Sequence, residues 1–147
     1  RVVHPRRPEG TENHSTARAS RQAEEVAGLG RDDIDVAEGH DASAMGEIVQ
    51  VENRGFVPRG EGGLAAEHGD FTLGGRIPGN TSGGLESKGH PLGATGIGQL
   101  FELVAQLRGE AKGRQVPNVR HAIQENGGGL PGVEEAAAAI HILSKDT

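Results

Sequence analysis

Fourteen of the 25 glycines in this 147-residue chain fall between Gly55 and Gly98. No other feature limits the fold as much. Glycine in the interior of a helix or strand loses backbone entropy and offers no side chain to pack, so a segment this rich in it is a poor place for a long element. Phe56, Leu64, Phe71, Leu73 and Ile77 are scattered along it as isolated apolar anchors. Residues 55–88 are therefore expected to form a long Gly-rich loop excursion. Connections of that length in compact domains are functional or disordered.

Regular elements are expected on both sides of it. "STARASRQAEEVA", Ser15 to Ala27, is helix-prone, with Ser15 or Thr16 as N-cap and Gly28 and Gly30 beyond its end. Ile34 and Val36 alternate with Asp33 and Asp35, a short strand pattern that ends near His40. Met45, Ile48, Val49 and Glu52 return to helical spacing, with Asp41 or Ser43 as the cap and Gly55 as the stop. Ile97, Leu100, Phe101, Val104 and Leu107 predict the clearest helix, over 94–108, stopped by Gly109. A short strand is expected near Val119–Ile123, running towards a triple glycine at 127–129. "GVEEAAAAIHIL" is divided: its Glu and Ala favour helix, its last four residues favour strand. Strands alternating with helices predict one α/β domain over 15–147, preceded by a loose polar arm over 1–14.

Composition narrows the function. With 33% hydrophobic residues and only three Phe, the core must be built from Val, Ile, Leu and Ala. Such a core is thin at this length, and marginal stability or a covering partner is expected. The net charge of −6 and the absence of Tyr and Trp argue against nucleic acid as a partner. No apolar run approaches the ~18 residues of a membrane span, and no charged-then-apolar signal opens the chain. The expectation is a soluble, cytoplasmic domain. Beginning on Arg1 rather than Met, it reads as a fragment or a processed product. With no cysteine, the 147 residues supply no disulfide, thiolate metal site or cysteine nucleophile.

Three loops can carry chemistry: Gly39-His40-Asp41, Gly89-His90-Pro91 and Asn126-Gly127-Gly128-Gly129. Both histidines stand just upstream of expected helices, where ligands of α/β sheets collect. Two imidazoles beside a backbone-rich glycine loop suit a developing oxyanion. Blander readings stand beside these: His90 as a turn residue before proline, His40-Asp41 as a helix cap, the triple glycine as a flexible turn. Glu38, His40 and Asp41 lack the spacing of a dedicated zinc or calcium site, so no metal is expected.

"NTSGGLESKGHPLGATG", Asn80 to Gly96, resembles the signature of the C-terminal half of the thiolase superfamily. "GLGRDDIDVAEGHDAS" and "QLFELVAQLRGEAKGRQVPNVRHAIQENGGG" keep the same register, so the likeness runs from about Ala17 to Leu143. It is most similar to the lipid-transfer, sterol carrier protein X-like, branch. The resemblance implies the fold of a thiolase C-terminal half, a mixed sheet layered with helices, and makes "GVEEAAAAIHIL" a final strand. It implies chemistry on acyl-CoA or β-ketoacyl-CoA thioesters in lipid metabolism, with coenzyme A as substrate or product and no covalently bound cofactor. His90 matches the histidine that activates the family's nucleophilic cysteine. His40 matches a second histidine of an oxyanion site. Asn80, Gly89, Pro91, Gly93, Asn126, Gly127 and Gly128 are the implied substrate- or CoA-binding positions. The branch's His-Asp-Cys-Phe run is His40-Asp41-Ala42-Ser43 here, and the C-terminal glycine loop also lacks its cysteine. Ser43 has the wrong place in the motif to replace a thiolate.

Three functions follow from the resemblance. The chain is part of a thiolase-like acyltransferase whose other half supplies the cysteine, the complete protein being a homo-oligomer. It is an aldolase subunit acting on acyl-CoA side chains with a small accessory protein. Or it is a degenerate lobe that binds CoA or holds a dimer together, with Gly39, Gly46 and the Glu134-Glu135 pair as signs of erosion.

Overall fold

A computed structural model of the chain describes residues 14–129 and 136–145. Apart from His14, the expected polar arm lies outside the described residues, as does the Glu134-Glu135 pair. Helix α1, Ser15–Ala27, is preceded by His14 at the N-cap rather than capped by Ser15 or Thr16, and ends on left-handed Gly28. A short 3-10 turn, Arg31–Asp33, takes up the start of the expected strand, which is confined to β1, Val36–Glu38. All three β1 residues are buried. The alternation read from the sequence fails there because both faces of the strand are covered.

Helix α2, Ala44–Asn53, is capped by the Ser43 hydroxyl, which accepts from Gly46 N at 3.1 Å. The segment after it is more regular than expected. It contains α3, Gly62–Glu67, and α4, Gly84–Lys88. Of its five proposed anchors, Phe56 and Ile77 are buried and Phe71 packs against them, whereas Leu64 and Leu73 are exposed. Its far end is hydrogen-bonded along β1: Ala37 N donates to Pro78 O at 2.9 Å and Asn80 N to Ala37 O at 2.8 Å.

Helix α5, Thr95–Arg108, starts one residue after the expected Ala94, which is its N-cap, and stops as expected on left-handed Gly109. Strand β2, His121–Gly128, continues through two of the three glycines, so the run closes a strand and is not only a turn. Strand β3, Ala137–Ser144, confirms the final strand. The sheet order is β1-β2-β3, with β1 parallel and β3 antiparallel to β2. It is a mixed sheet in an α/β domain. Val36, Leu103, Leu107, Val116, Val119 and Ala122 pack on the α5 side. Ile34, Ala37, Phe56, Ile77 and Ile123 pack on the other, where α1 lies against β3.

The apolar residues of α5 do not all face the core: Leu107 is buried, but Ile97 and Phe101 are 69% and 75% exposed. The face against the sheet carries Thr95, Gln99, Glu102 and Gln106 beside Leu103 and Leu107. Those polar groups are tolerated because they are hydrogen-bonded. Gln106 donates to Arg114 O at 2.8 Å and accepts from Val116 N at 2.9 Å, and Glu102 takes Arg114 Nη2 at 2.7 Å.

Candidate functional site

Because β1 and β2 are parallel, their carboxyl ends open on the same edge of the sheet, where ligands of α/β sheets bind. Gly39-His40-Asp41 leaves β1 there, Asn126-Gly127 ends β2 there, and α5 begins there. The His40 and His90 rings meet with centroids 4.9 Å apart, tilted by 50°. Fifty residues of chain separate them, so the contact is tertiary.

Each ring is oriented through Nδ1. Gly127 N donates to His40 Nδ1 at 3.1 Å, so neutral His40 carries its proton on Nε2. His90 Nδ1 lies 2.7 Å from Thr95 Oγ1, and that hydroxyl donates to Pro91 O at 3.3 Å. With the hydroxyl proton on Pro91 O, the hydroxyl's lone pairs face His90, which then holds its proton on Nδ1 and keeps Nε2 basic. In that tautomer the two imidazoles present opposite Nε2 chemistry, a donor on His40 and an acceptor on His90. The half-buried His40 is the more enclosed of the two; His90 is exposed.

Buried carboxylates fix the loops behind the rings. Glu125 Oε2 accepts His40 N at 2.9 Å. Asp41 Oδ1 accepts Leu85 N at 2.7 Å, and Gly84 makes that approach possible. Its φ is +63°, and a Cβ there would lie 1.9 Å from Asp41 Oδ2. Glu38, fully buried at the end of β1, accepts Ser82 N at 2.9 Å and Ser82 Oγ at 2.7 Å. Burial pushes the Glu38 carboxyl above the usual carboxylate range, against the Ser82 hydrogen bonds and Lys88, whose Nζ is 4.0 Å away. Lys88 Nζ also bonds the Ser82 hydroxyl.

The expected binding positions separate into groups. Gly127 and Asn126 adjoin His40 and the start of α5, where the Asn126 side chain faces Gly96. Gly89 and Pro91 flank His90 and line a cleft of about 460 Å³ with Lys88, Phe101 and Arg114, beside the histidines rather than over them. Asn80 is a brace: its Oδ1 accepts Gly39 N and its Nδ2 donates to Glu47 Oε1, both at 2.8 Å. Gly93 is exposed, and Gly128 pairs with Ala137 in the sheet. Sequence reasoning missed Thr95, Glu125 and Glu47. For Glu125 a signal existed, since Gln124-Glu125 interrupts an apolar strand just before the glycine loop. Thr95 is a polar residue one turn beyond His90. Glu47 offered none.

Residues 3–145 match the family described as thiolase C-terminal domain-like. The chain belongs to that family. Over 144 residues this thiolase C-terminal domain-like chain is 47% identical to "Acetyl-CoA acetyltransferase" of Methanothermobacter thermautotrophicus, covering 98% of the chain and 36% of that relative. It is 51% identical over 108 residues to "Sterol carrier protein 2" of Rattus norvegicus, covering 74% of the chain and 20% of that protein. The solved structure "Ltp2-ChsH2(DUF35) aldolase" superposes with a TM-score of 0.74 at 26% identity, over 90% of the chain and 32% of its own. The thiolase-like chain therefore spans about a third or less of the relatives it matches. Among the described residues no helix is long and apolar enough to cross a membrane.

Proposed function

We propose that this domain supplies the two-histidine part of an acyl-CoA acyltransferase site, completed by a nucleophile from outside these 147 residues. The 4.9 Å apposition of His40 and His90, with opposite Nδ1 partners, carries the reading. A thiol from the remainder of the protein loses its proton to His90 Nε2 and attacks the thioester carbonyl. As the carbonyl oxygen gains charge, His40 Nε2–H donates to it. The coenzyme A thiolate leaves and takes the proton back from His90. The exposed Ile97 and Phe101 on α5 support a second part of the protein lying over this face, an N-terminal thiolase half on the same or another chain, within a homo-oligomer.

The test is thiolytic cleavage of a β-ketoacyl-CoA by the domain together with an N-terminal thiolase half. His90→Ala is expected to abolish turnover. His40→Ala is expected to lower kcat by about a hundredfold or more, the usual loss for an oxyanion donor. Full activity in His90→Ala overturns the role given to that ring. The aldolase superposition favours a second reading, retro-aldol cleavage of a β-hydroxyacyl-CoA side chain with an accessory subunit. Retro-aldol turnover without thiolysis would select it.

A further inference from the structure

Arg54 follows the last residue of α2 and is only 4% exposed. Its Nε donates to Gln50 O at 3.3 Å, and its Cζ lies 5.3 Å from the centre of the Phe56 ring. A guanidinium remains charged even where burial disfavours it, and a buried charge is tolerated only beside compensating charge. Burial draws the Arg54 pKa below its ordinary value, while Glu125, Glu47, Glu38 and Asp41 oppose the shift. Each of these carboxylates holds a piece of the two-histidine site. Glu125 takes the His40 amide. Glu47 takes Asn80, which takes the Gly39 amide. Asp41 holds the start of α4, and Glu38 holds Ser82.

The guanidinium also occupies particular space. A Cβ on Gly39 would lie 2.7 Å from Arg54 Nη2, 3.1 Å from Cζ and 3.2 Å from Nη1. The end of an arginine normally moves aside, but this one is buried and packs over the Phe56 ring. We infer that Arg54 is a positioning residue of the two-histidine site, packed against the backbone at residue 39 that leads into His40, and that residue 39 is glycine to make room for it. Gly39 is then half of a pair with Arg54 and not a mark of erosion. The consequence for catalysis rests on the acyltransferase reading; the pairing of Gly39 with Arg54 does not.

A double-mutant cycle in urea unfolding tests the pairing. Gly39→Ala and Arg54→Met are each expected to destabilise, and the double variant to be no less stable than Arg54→Met alone, because the new methyl enters vacated space. Additive losses overturn the inference. Nuclear Overhauser contacts between the Gly39 α-protons and the Arg54 guanidinium in the unsubstituted protein test the same geometry if Arg54→Met does not fold. Their presence supports the pairing and their absence overturns it. For positioning, Arg54→Lys keeps the charge and loses the planar fork. Hydrogen-exchange protection of the His40 amide is expected to fall about tenfold relative to the Val51 amide within α2, the equivalent of one hydrogen bond. A merely structural loss lowers both alike, and an unchanged ratio overturns the positioning role. If the thioester reading holds, the same variant lowers kcat with little change in KM. Absence of thioester activity in every form counts against that reading and leaves the cycle and exchange results standing.

Discussion

Replacing Thr95 by valine keeps the side chain's shape and removes the oxygen that orients His90. Thr95 is 5% exposed, and its Oγ1 lies 2.7 Å from His90 Nδ1 and 3.3 Å from Pro91 O. The second contact is long, so little global stability is lost with it. The first is short, but His90 is exposed and water competes for its ring nitrogens. We take about 0.7–1.4 kcal/mol for it, within the ordinary net range for one hydrogen bond. That energy changes the ratio of Nδ1–H to Nε2–H tautomers by about threefold to tenfold. The assay is the ¹⁵N shift of the two imidazole nitrogens of His90, read at a pH where the ring is neutral. In the unsubstituted protein Nδ1 is expected to be the protonated nitrogen, and Thr95→Val to move the population towards Nε2–H. An unchanged ratio, or a proton already on Nε2 before substitution, would refute the assignment of His90 Nε2 as the basic atom. The unfolding midpoint shows whether the fold was disturbed, with a loss below about 1 kcal/mol expected.

Other consequences are open to the same kinds of measurement. Leu103 is fully buried between β1, β2 and the Val116–Val119 segment, so Leu103→Ala is expected to cost about 3–5 kcal/mol in urea unfolding. A loss below about 1 kcal/mol would mean that this thin core collapses around the cavity. Although burial works against it, Glu102 is held below the usual carboxylate range by Arg114, Gln106 and Thr81. Its contribution is complete above the unfolded value of 4.5 and is lost as pH falls through the lower folded value. Arg114→Met is expected to flatten that acid slope, and an unchanged slope counts against the pair. Glu38 runs the other way: burial raises it, so its contribution is present below 4.5 and lost as pH rises through the folded value. Glu38→Gln therefore costs less stability at neutral pH than at about pH 4, and equal costs would contradict the raised value.

Element limits were legible wherever they depend on local chemistry. Ser43 caps α2, left-handed Gly28 and Gly109 end α1 and α5, and the period of α5 predicted its length. Such features need only a residue and its near neighbours. His40 and His90 were legible through the resemblance and through their glycine-bounded loops, but nothing local brings them to 4.9 Å. The Asp41–Leu85 hydrogen bond and the packing of α5 on β1 and β2 do that.

The orientation of α5 was decided only by tertiary structure. Its period predicts the helix but not which of its faces is buried. The fold buries Gln99, Glu102 and Gln106, whose partners come from Glu125, Arg114 and Val116. A buried polar side chain is affordable only where those partners exist, and they come from other parts of the chain. Arg54 is the clearest case. In sequence it is one more charged residue before a glycine. In the fold it is buried over Gly39, beside the Phe56 ring, and the charges of Glu125, Glu47, Glu38 and Asp41 oppose the burial that draws its pKa down. The sequence alone determined the start of α2 and the ends of α1 and α5, because caps and periodicity act within a few residues. Which charges are buried, and which two histidines share a site, depended on distant segments meeting, because desolvation and charge compensation are set by whatever surrounds a group in space.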